Sequence, residues 1–391
     1  MASVIEQCQV APSPGSAAEL TLPLTYFDHM WLAFNRMRRI LFYKLPISRS
    51  DFVQTIIPTL KDSLSLALTH YIPLAGNVAC PLSSSGYPEL RYVIRDSVSV
   101  IFSETDMDFN YLISNHPRDA KDFYHFVPQL AEAKDAPGIQ LAPVLAIQVT
   151  LFPNIGISIG FTNHHVAGDG ATILGFIRAW ASLNKFSGDE QFLANEFVPF
   201  YDRSVIKDSH GQAMSIWDVM QKFKLEMCEI VTPPDKFFGC VADCRSRLNP
   251  PLPPSYFGNC LVTLIARASH VDLVGKEGFT IAVEVIGEAI QKRMKDEDYI
   301  LTGEWYKEFT TIDMKRSLSI AGSPKLDLYA VDFGWGKPEK LEFVSIDSDN
   351  GISMSLGKSK DSNGDLEIGL SLPKTRTNAF AAIFTHGLSF L

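Results

Sequence analysis

The sequence predicts an α/β fold with two sheet-containing halves, and three observations lead there. The chain has 391 residues, which at roughly 100–200 residues per domain suggests two packed units. Residues 142–186 read as strand, turn, strand, a His/Asp cluster and then an apolar helix. A polar, turn-rich stretch over 187–212 separates this region from a second set of strands and a terminal helix. The expected division is therefore 1–205 and 206–391.

Taken in order, Pro12-Ser13-Pro14-Gly15 is a loop, and Leu22-Pro23-Leu24-Thr25-Tyr26-Phe27-Asp28 leads into an aromatic-rich stretch. Arg39 to Lys44 reads as a buried strand, being a short apolar run. Ser48 to Ser50 precede an amphipathic helix with apolar residues at Phe52, Ile56, Ile57, Leu60 and Leu64. Leu90–Ile94 and Val98–Phe102 look like a hairpin. Phe123, Tyr124 and Phe126 are expected in the core. Ala142–Phe152 is strand-like, Pro153–Gly156 a turn, and Ile157–Asn163 a second strand. A helix is expected over Ser215–Glu229. The second half opens at Cys240–Asp243 and continues through a Pro-rich arm at 249–254. A strand meander follows, punctuated by Asp349-Asn350-Gly351 and Ser362-Asn363-Gly364, then a helix from about Thr375.

Charge narrows the function. With 35 Lys+Arg against 44 Asp+Glu the formal charge is −9, which argues against nucleic acid, whose phosphates need a concentrated basic face. An anionic small ligand would need a local cation cluster. The six cysteines form no CxxC pair or Cys/His ladder, so free thiols in a reducing compartment are expected, with no metal site. The first residues lack a basic region followed by an apolar one. The expected location is the cytoplasm, without a membrane partner.

The chemistry concentrates at His164-His165-Val166-Ala167-Gly168-Asp169-Gly170, where a strand ends and a helix begins. An imidazole, with an unperturbed pKa of about 6.5, is the natural general base near neutrality. Asp169 could orient it or, facing away, brace the loop through an arginine. The HxxxD spacing alone is weak, because nine histidines make an accidental match common. The doubled histidine, the two glycines and the strand–helix junction strengthen it. No GxSxG elbow is present and no Ser or Cys stands in the motif, so direct transfer between two bound substrates fits better than an acyl-enzyme.

A second element, Asp332-Phe333-Gly334-Trp335-Gly336 followed by Lys337-Pro338, resembles the DFGWG element of the plant BAHD acyltransferases. Tyr256-Phe257-Gly258-Asn259-Cys260 and the 22–28 stretch resemble the branch that acylates anthocyanin, flavonoid and phenolic glucosides, commonly from malonyl-CoA. Ile72-Pro73-Leu74-Ala75-Gly76-Asn77 resembles the family's PLAG loop. The resemblance runs nearly end to end.

It implies two chloramphenicol-acetyltransferase-like domains with an active-site channel between them, the HxxxD motif in the first and the YFGNC and DFGWG motifs in the second. His165 would deprotonate a sugar hydroxyl that attacks the thioester, releasing CoA. Malonyl-CoA is then a cosubstrate, no cofactor is held, and the partners are a small glucoside acceptor and the acyl-CoA donor, with the chain a monomer. Asp169 would pair with Arg245 or Arg247. Asp332 would hold its own loop, and Trp335 or nearby backbone N–H groups are oxyanion candidates. Lys315, Arg316, Lys325, Lys337 and Lys340 could meet CoA phosphates, and Arg178 the malonyl carboxylate.

Against the family pattern the chain is short. A segment of several dozen residues is missing between Lys236 and Phe237, which would remove part of the CoA wall and of the second domain's core. The alternative is therefore a shortened, impaired or non-catalytic ligand-binding variant of the same fold. A peptide-synthetase condensation domain or a chloramphenicol acetyltransferase relative shares the HHxxxDG pattern but not DFGWG or YFGNC.

Overall fold

The computed structural model describes residues 2–389 apart from 35, 83–85, 194–196, 210, 226–234, 296–298, 301–304, 310–311, 313–315, 347–351 and 363. Asp349-Asn350-Gly351, Lys315 and the last residues of the expected 215–229 helix lie outside them.

Three sheets organise the described residues. The first has six strands in the order β1 (Ser3–Val10), β6 (Val98–Glu104), β9 (Leu145–Phe152), β10 (Gly156–Asn163), β3 (Met37–Lys44) and β14 (Lys340–Phe343). A smaller sheet joins β2 (Leu20–Pro23), β5 (Glu89–Tyr92), β4 (Asn77–Pro81), β8 (Ile139–Pro143) and β7 (Lys134–Ala136). The third, in the second half, runs β12 (Leu261–Ser269), β11 (Asp235–Asp243), β13 (Ser317–Ala321), β15 (Ile352–Lys358) and β16 (Leu366–Ser371).

Every residue of β9 and β10 is buried, because both faces of the first sheet are covered. On one face Ile157, Ile159 and Phe161 join the main core; on the other Ile40 and Phe42 meet Phe109, Phe126 and Phe152. A strand buried on both sides reads as a continuous apolar run, which is why this region was legible. The helices Ile57–His70 and Gly170–Lys185 cover the main face and pack together, with Trp180 Nε1 donating to Ser63 Oγ at 3.1 Å. Before Pro58 the first of these takes a π-helical turn over Phe52–Ile56, which absorbs the hydrogen bond that proline cannot donate.

Several expectations are corrected. The 90–94 and 98–102 segments are not a hairpin: β5 pairs with β2 and β4, and β6 with β1 and β9. A turn at Val93–Asp96, in which Asp96 Oδ2 accepts from the Val93 N–H at 3.0 Å, carries the chain between sheets. The 142–152 strand breaks at Val144 into β8 and β9, since Pro143 ends β8 in the smaller sheet. Tyr124 is exposed, while Phe123 and Phe126 are buried. The second-half strands are not a simple meander: β11 pairs antiparallel with β12 and β15 with β16, but β13 runs parallel to both β11 and β15. Most telling is β14, which leaves the second half to pair with β3. The helix from Thr375 begins at Lys374 and ends at Leu388, with no buried residue.

β11 runs unbroken through Lys236 and Phe237. The two sides of the expected gap are joined inside one strand.

Candidate active site

His165 stands where β10 ends, in a short 3₁₀ turn over His165–Ala167. Its ring lies flat on Trp31, with centroids 3.8 Å apart and planes 8° from parallel. Nδ1 lies 3.1 Å from Oδ1 of Asn259, which comes from the second half. The amide nitrogen of Asn259 donates to Asp28 Oδ1 (3.0 Å) and to the carbonyl oxygens of His165 (3.1 Å) and Val166 (3.3 Å). With Nδ2 committed to three acceptors, Oδ1 must face the imidazole, so Nδ1 donates to it. Nε2 is left with its lone pair, the form a general base requires. Burial drives the His165 pKa down to about 4; the ring's own backbone carbonyl, Asp169 and Asn259 oppose this, and the Arg39 charge adds to it. The imidazole is thus neutral at pH 7.

Behind Asn259 the anchoring continues. Asp28 is wholly buried, accepts from the N–H and hydroxyl of Thr25 at 2.9 and 2.8 Å and from the Asn259 N–H at 3.0 Å, and pairs with Arg203. Arg203 lies in the expected linker, so that stretch is part of the site's support.

Asp169 faces away from the imidazole. It caps the 170–185 helix through the N–H groups of Ala171 and Thr172 (3.1 and 3.2 Å), and accepts from the Cys260 N–H at 3.1 Å. Arg245 grips it with two bonds of 2.7 and 3.0 Å, while donating to the carbonyls of Tyr256 and Gly258. This fork-to-carboxylate geometry is the strong form of an ion pair. Arg247 is exposed; Arg245 is the partner.

Asp332 ties its own loop. One oxygen accepts from the N–H groups of Gly334 and Gly336 at 2.8 and 2.9 Å, and the other from Lys185 Nζ at 2.7 Å. Both glycines have positive φ, 95° and 88°, a conformation other residues adopt at a cost. Burial works against ionisation of Asp332, but Lys185 and the two N–H groups outweigh it and hold the carboxyl below its ordinary value. Trp335 stacks on Phe333 and meets Tyr43 edge-on at 5.6 Å, while Tyr43 and Asn184 donate to the carbonyls of Val331 and Phe333. The loop is thereby fixed to β3 and the 170–185 helix.

The remaining cations divide. Lys325 and Lys337 are exposed. Arg178 donates to the carbonyl of Asp327 at 3.0 Å and lies over Phe197. Lys340 is corrected as a CoA candidate: it is buried, donating to Asn115 Oδ1 at 2.8 Å and paired with Glu367. No cluster of three or more His, Cys, Asp or Glu suited to a metal occurs among the described residues. None of their helices is long and apolar enough to cross a membrane.

Comparison with known proteins places this arrangement. The model of the Transferase family matches residues 1–236 and 215–386. The chain belongs to this family, the BAHD acyltransferases. It is 69% identical to phenolic glucoside malonyltransferase 1 of Nicotiana tabacum, over 453 aligned positions that cover all of both chains. It is 38% identical to malonyl-coenzyme:anthocyanin 5-O-glucoside-6'''-O-malonyltransferase of Salvia splendens, covering 98% of this chain and 94% of that one. The fold resembles vinorine synthase, with a TM-score of 0.68, 19% identity and 94% of each chain covered. Since this BAHD chain has 391 residues, at least 62 of the 453 aligned positions face no residue of it. The first matched segment stops at 236, beside the expected gap.

Sequence reasoning missed Asn259, Asp28, Trp31 and Lys185. Asn259 and Asp28 lie within the 256–260 and 22–28 stretches already singled out, but a neutral amide and a buried cap carry no signal of their own.

Proposed function

We propose that the chain transfers malonyl from malonyl-CoA to a sugar hydroxyl of a phenolic, flavonoid or anthocyanin glucoside. The observation that carries this reading is the imidazole of His165, held with Nε2 free, in a chain 69% identical to a protein named as a phenolic glucoside malonyltransferase. Nε2 takes the proton of the acceptor hydroxyl as its oxygen attacks the thioester carbonyl. The tetrahedral intermediate collapses, the C–S bond breaks, and CoA leaves as the thiol after His165 returns the proton. Such proton transfer contributes about 10²–10⁴ in rate. Asp169 and Arg245 position the base by pinning its loop to the second half, and Asp332 holds Trp335 in place. Lys325 and Lys337 are open to CoA phosphates, while Arg178 holds the segment that seats Leu326 against Gly170.

The test is a donor panel on the purified chain, with a phenolic glucoside acceptor and products read by mass spectrometry. A malonyl adduct that disappears in His165→Ala supports the reading. Acetyl or hydroxycinnamoyl adducts, with none from malonyl-CoA, overturn it.

One observation favours a second reading, a chain of the same fold that binds ligand without turnover. The 374–388 helix buries nothing and leaves Phe380, Ile383, Phe384 and Leu388 exposed, as expected if the absent segment once covered it. Binding of CoA without any His165-dependent product would favour that reading.

A further inference from the structure

Three buried arginines surround the site, and two of them have carboxylate partners. Arg203 pairs with Asp28 and Arg245 with Asp169. Arg39 is 5% exposed, yet its side chain makes no ion pair or hydrogen bond among the described residues, and its Nε is buried without a partner. An uncompensated buried charge is costly and is kept where a ligand completes it. Burial draws the Arg39 pKa down only to about 10, so the group is charged at pH 7.

Its position is set by the strand. Along β3, Ile40 and Phe42 face the smaller cluster and Leu41 and Tyr43 the main core. Arg39 shares the alternation of Leu41 and Tyr43 and so belongs to the main-core face. At that face Tyr43 meets Trp335. Arg39 lies about 13 Å further along the strand, paired with Phe161 of β10, the strand that runs on into His165. The guanidinium charge is felt at the His165 imidazole. This cation therefore lies within electrostatic reach of the His165 imidazole, on the face that also carries the DFGWG loop.

We propose that Arg39 receives the free carboxylate of a dicarboxylic acyl donor and sets the preference for malonyl-CoA over uncharged acyl thioesters. The assignment rests on the malonyl-transfer reading above. In malonyl-CoA the carboxylate is two bonds from the thioester carbonyl, so its cation must lie close to the base that directs attack there. Arg178, whose guanidinium already holds the Asp327 carbonyl, does not present an unpartnered charge of this kind.

Calorimetric titration of the chain, of Arg39→Gln and of Arg39→Lys with malonyl-CoA and with acetyl-CoA tests this. In Arg39→Gln the malonyl-CoA affinity is expected to fall about 10–100-fold, the range for losing a charged hydrogen-bond partner. Acetyl-CoA affinity should fall far less, and Arg39→Lys should keep part of the preference. Because the charge has no partner among the described residues, an Arg39→Met chain should unfold at an equal or higher temperature; a structural arginine would give the reverse. An equal loss for both donors, or an unchanged preference, overturns the Arg39 assignment alone. Failure of the unsubstituted chain to prefer malonyl-CoA overturns the malonyl reading and this proposal with it.

Discussion

Asn259, from the second half of the chain, accepts the Nδ1 proton of His165 at 3.1 Å. The group that orients the His165 imidazole is thus a neutral amide, itself held by Asp28, and the carboxylate of the HxxxD motif serves elsewhere. The arrangement makes Asn259 a positioning residue with a measurable signature. Asn259→Leu should lower kcat by about 10²-fold or more with a smaller change in KM, because the ring loses its fixed tautomer. A kcat within threefold of the original would remove Asn259 from the mechanism.

The pH profile follows from the same burial. The proposed base acts when neutral, and burial lowers the His165 pKa to about 4. The acid limb of kcat/KM should therefore fall near pH 4, well below the ordinary imidazole value of about 6.5. The linkage has a definite sign: between about 6.5 and 4 the unfolded chain binds a proton that the folded one refuses, so stability declines as pH falls through that window. An inflection at 6.5 in the rate profile would contradict the burial assigned to His165.

Arg245→Ala leaves the Asp169 carboxylate, 1% exposed, without its cation. Removing one partner of such a pair typically destabilises by about 3–5 kcal/mol. Urea unfolding should show this, and the double replacement with Asp169→Asn should be less destabilising than the two single losses added together. Strict additivity would mean that the two side chains do not interact in solution.

The 374–388 helix has no buried residue, so little beyond its own backbone bonds protects it. Hydrogen exchange should find its amides nearly unprotected while those of β9 and β10 exchange last. Inserting the relatives' segment between Lys236 and Phe237 should raise both the protection of that helix and the unfolding temperature. If the helix is already as protected as β10, the shortened second half is not the weak part of the molecule.

Much of the first half was legible because its physics is local. The apolar runs of β3 and β10 and the apolar helix after Gly170 each state their structure within a few residues. What failed was partner choice. β5 and β6 both alternate as hairpin strands should, but alternation does not say which sheet a strand joins. β14 reads like any short strand, and only the fold sends it to β3. At the site, the Asp169–Arg245 pair came with the family resemblance, which left Arg245 and Arg247 undivided. Arg39 lay unremarked in a strand assignment, since the absence of a counter-ion is visible only in three dimensions.

The excursion of β14 has a consequence for how the chain is made. β3 is sealed on one side by β10 and on the other by residues 340–343, so during synthesis its apolar Ile40–Tyr43 run waits with an open edge until nearly the whole protein has emerged. Exposed edges of this kind recruit other chains, and contacts so distant in sequence form slowly. Residues 1–205 produced alone should therefore accumulate as aggregates, and supplying 206–391 during refolding should rescue them.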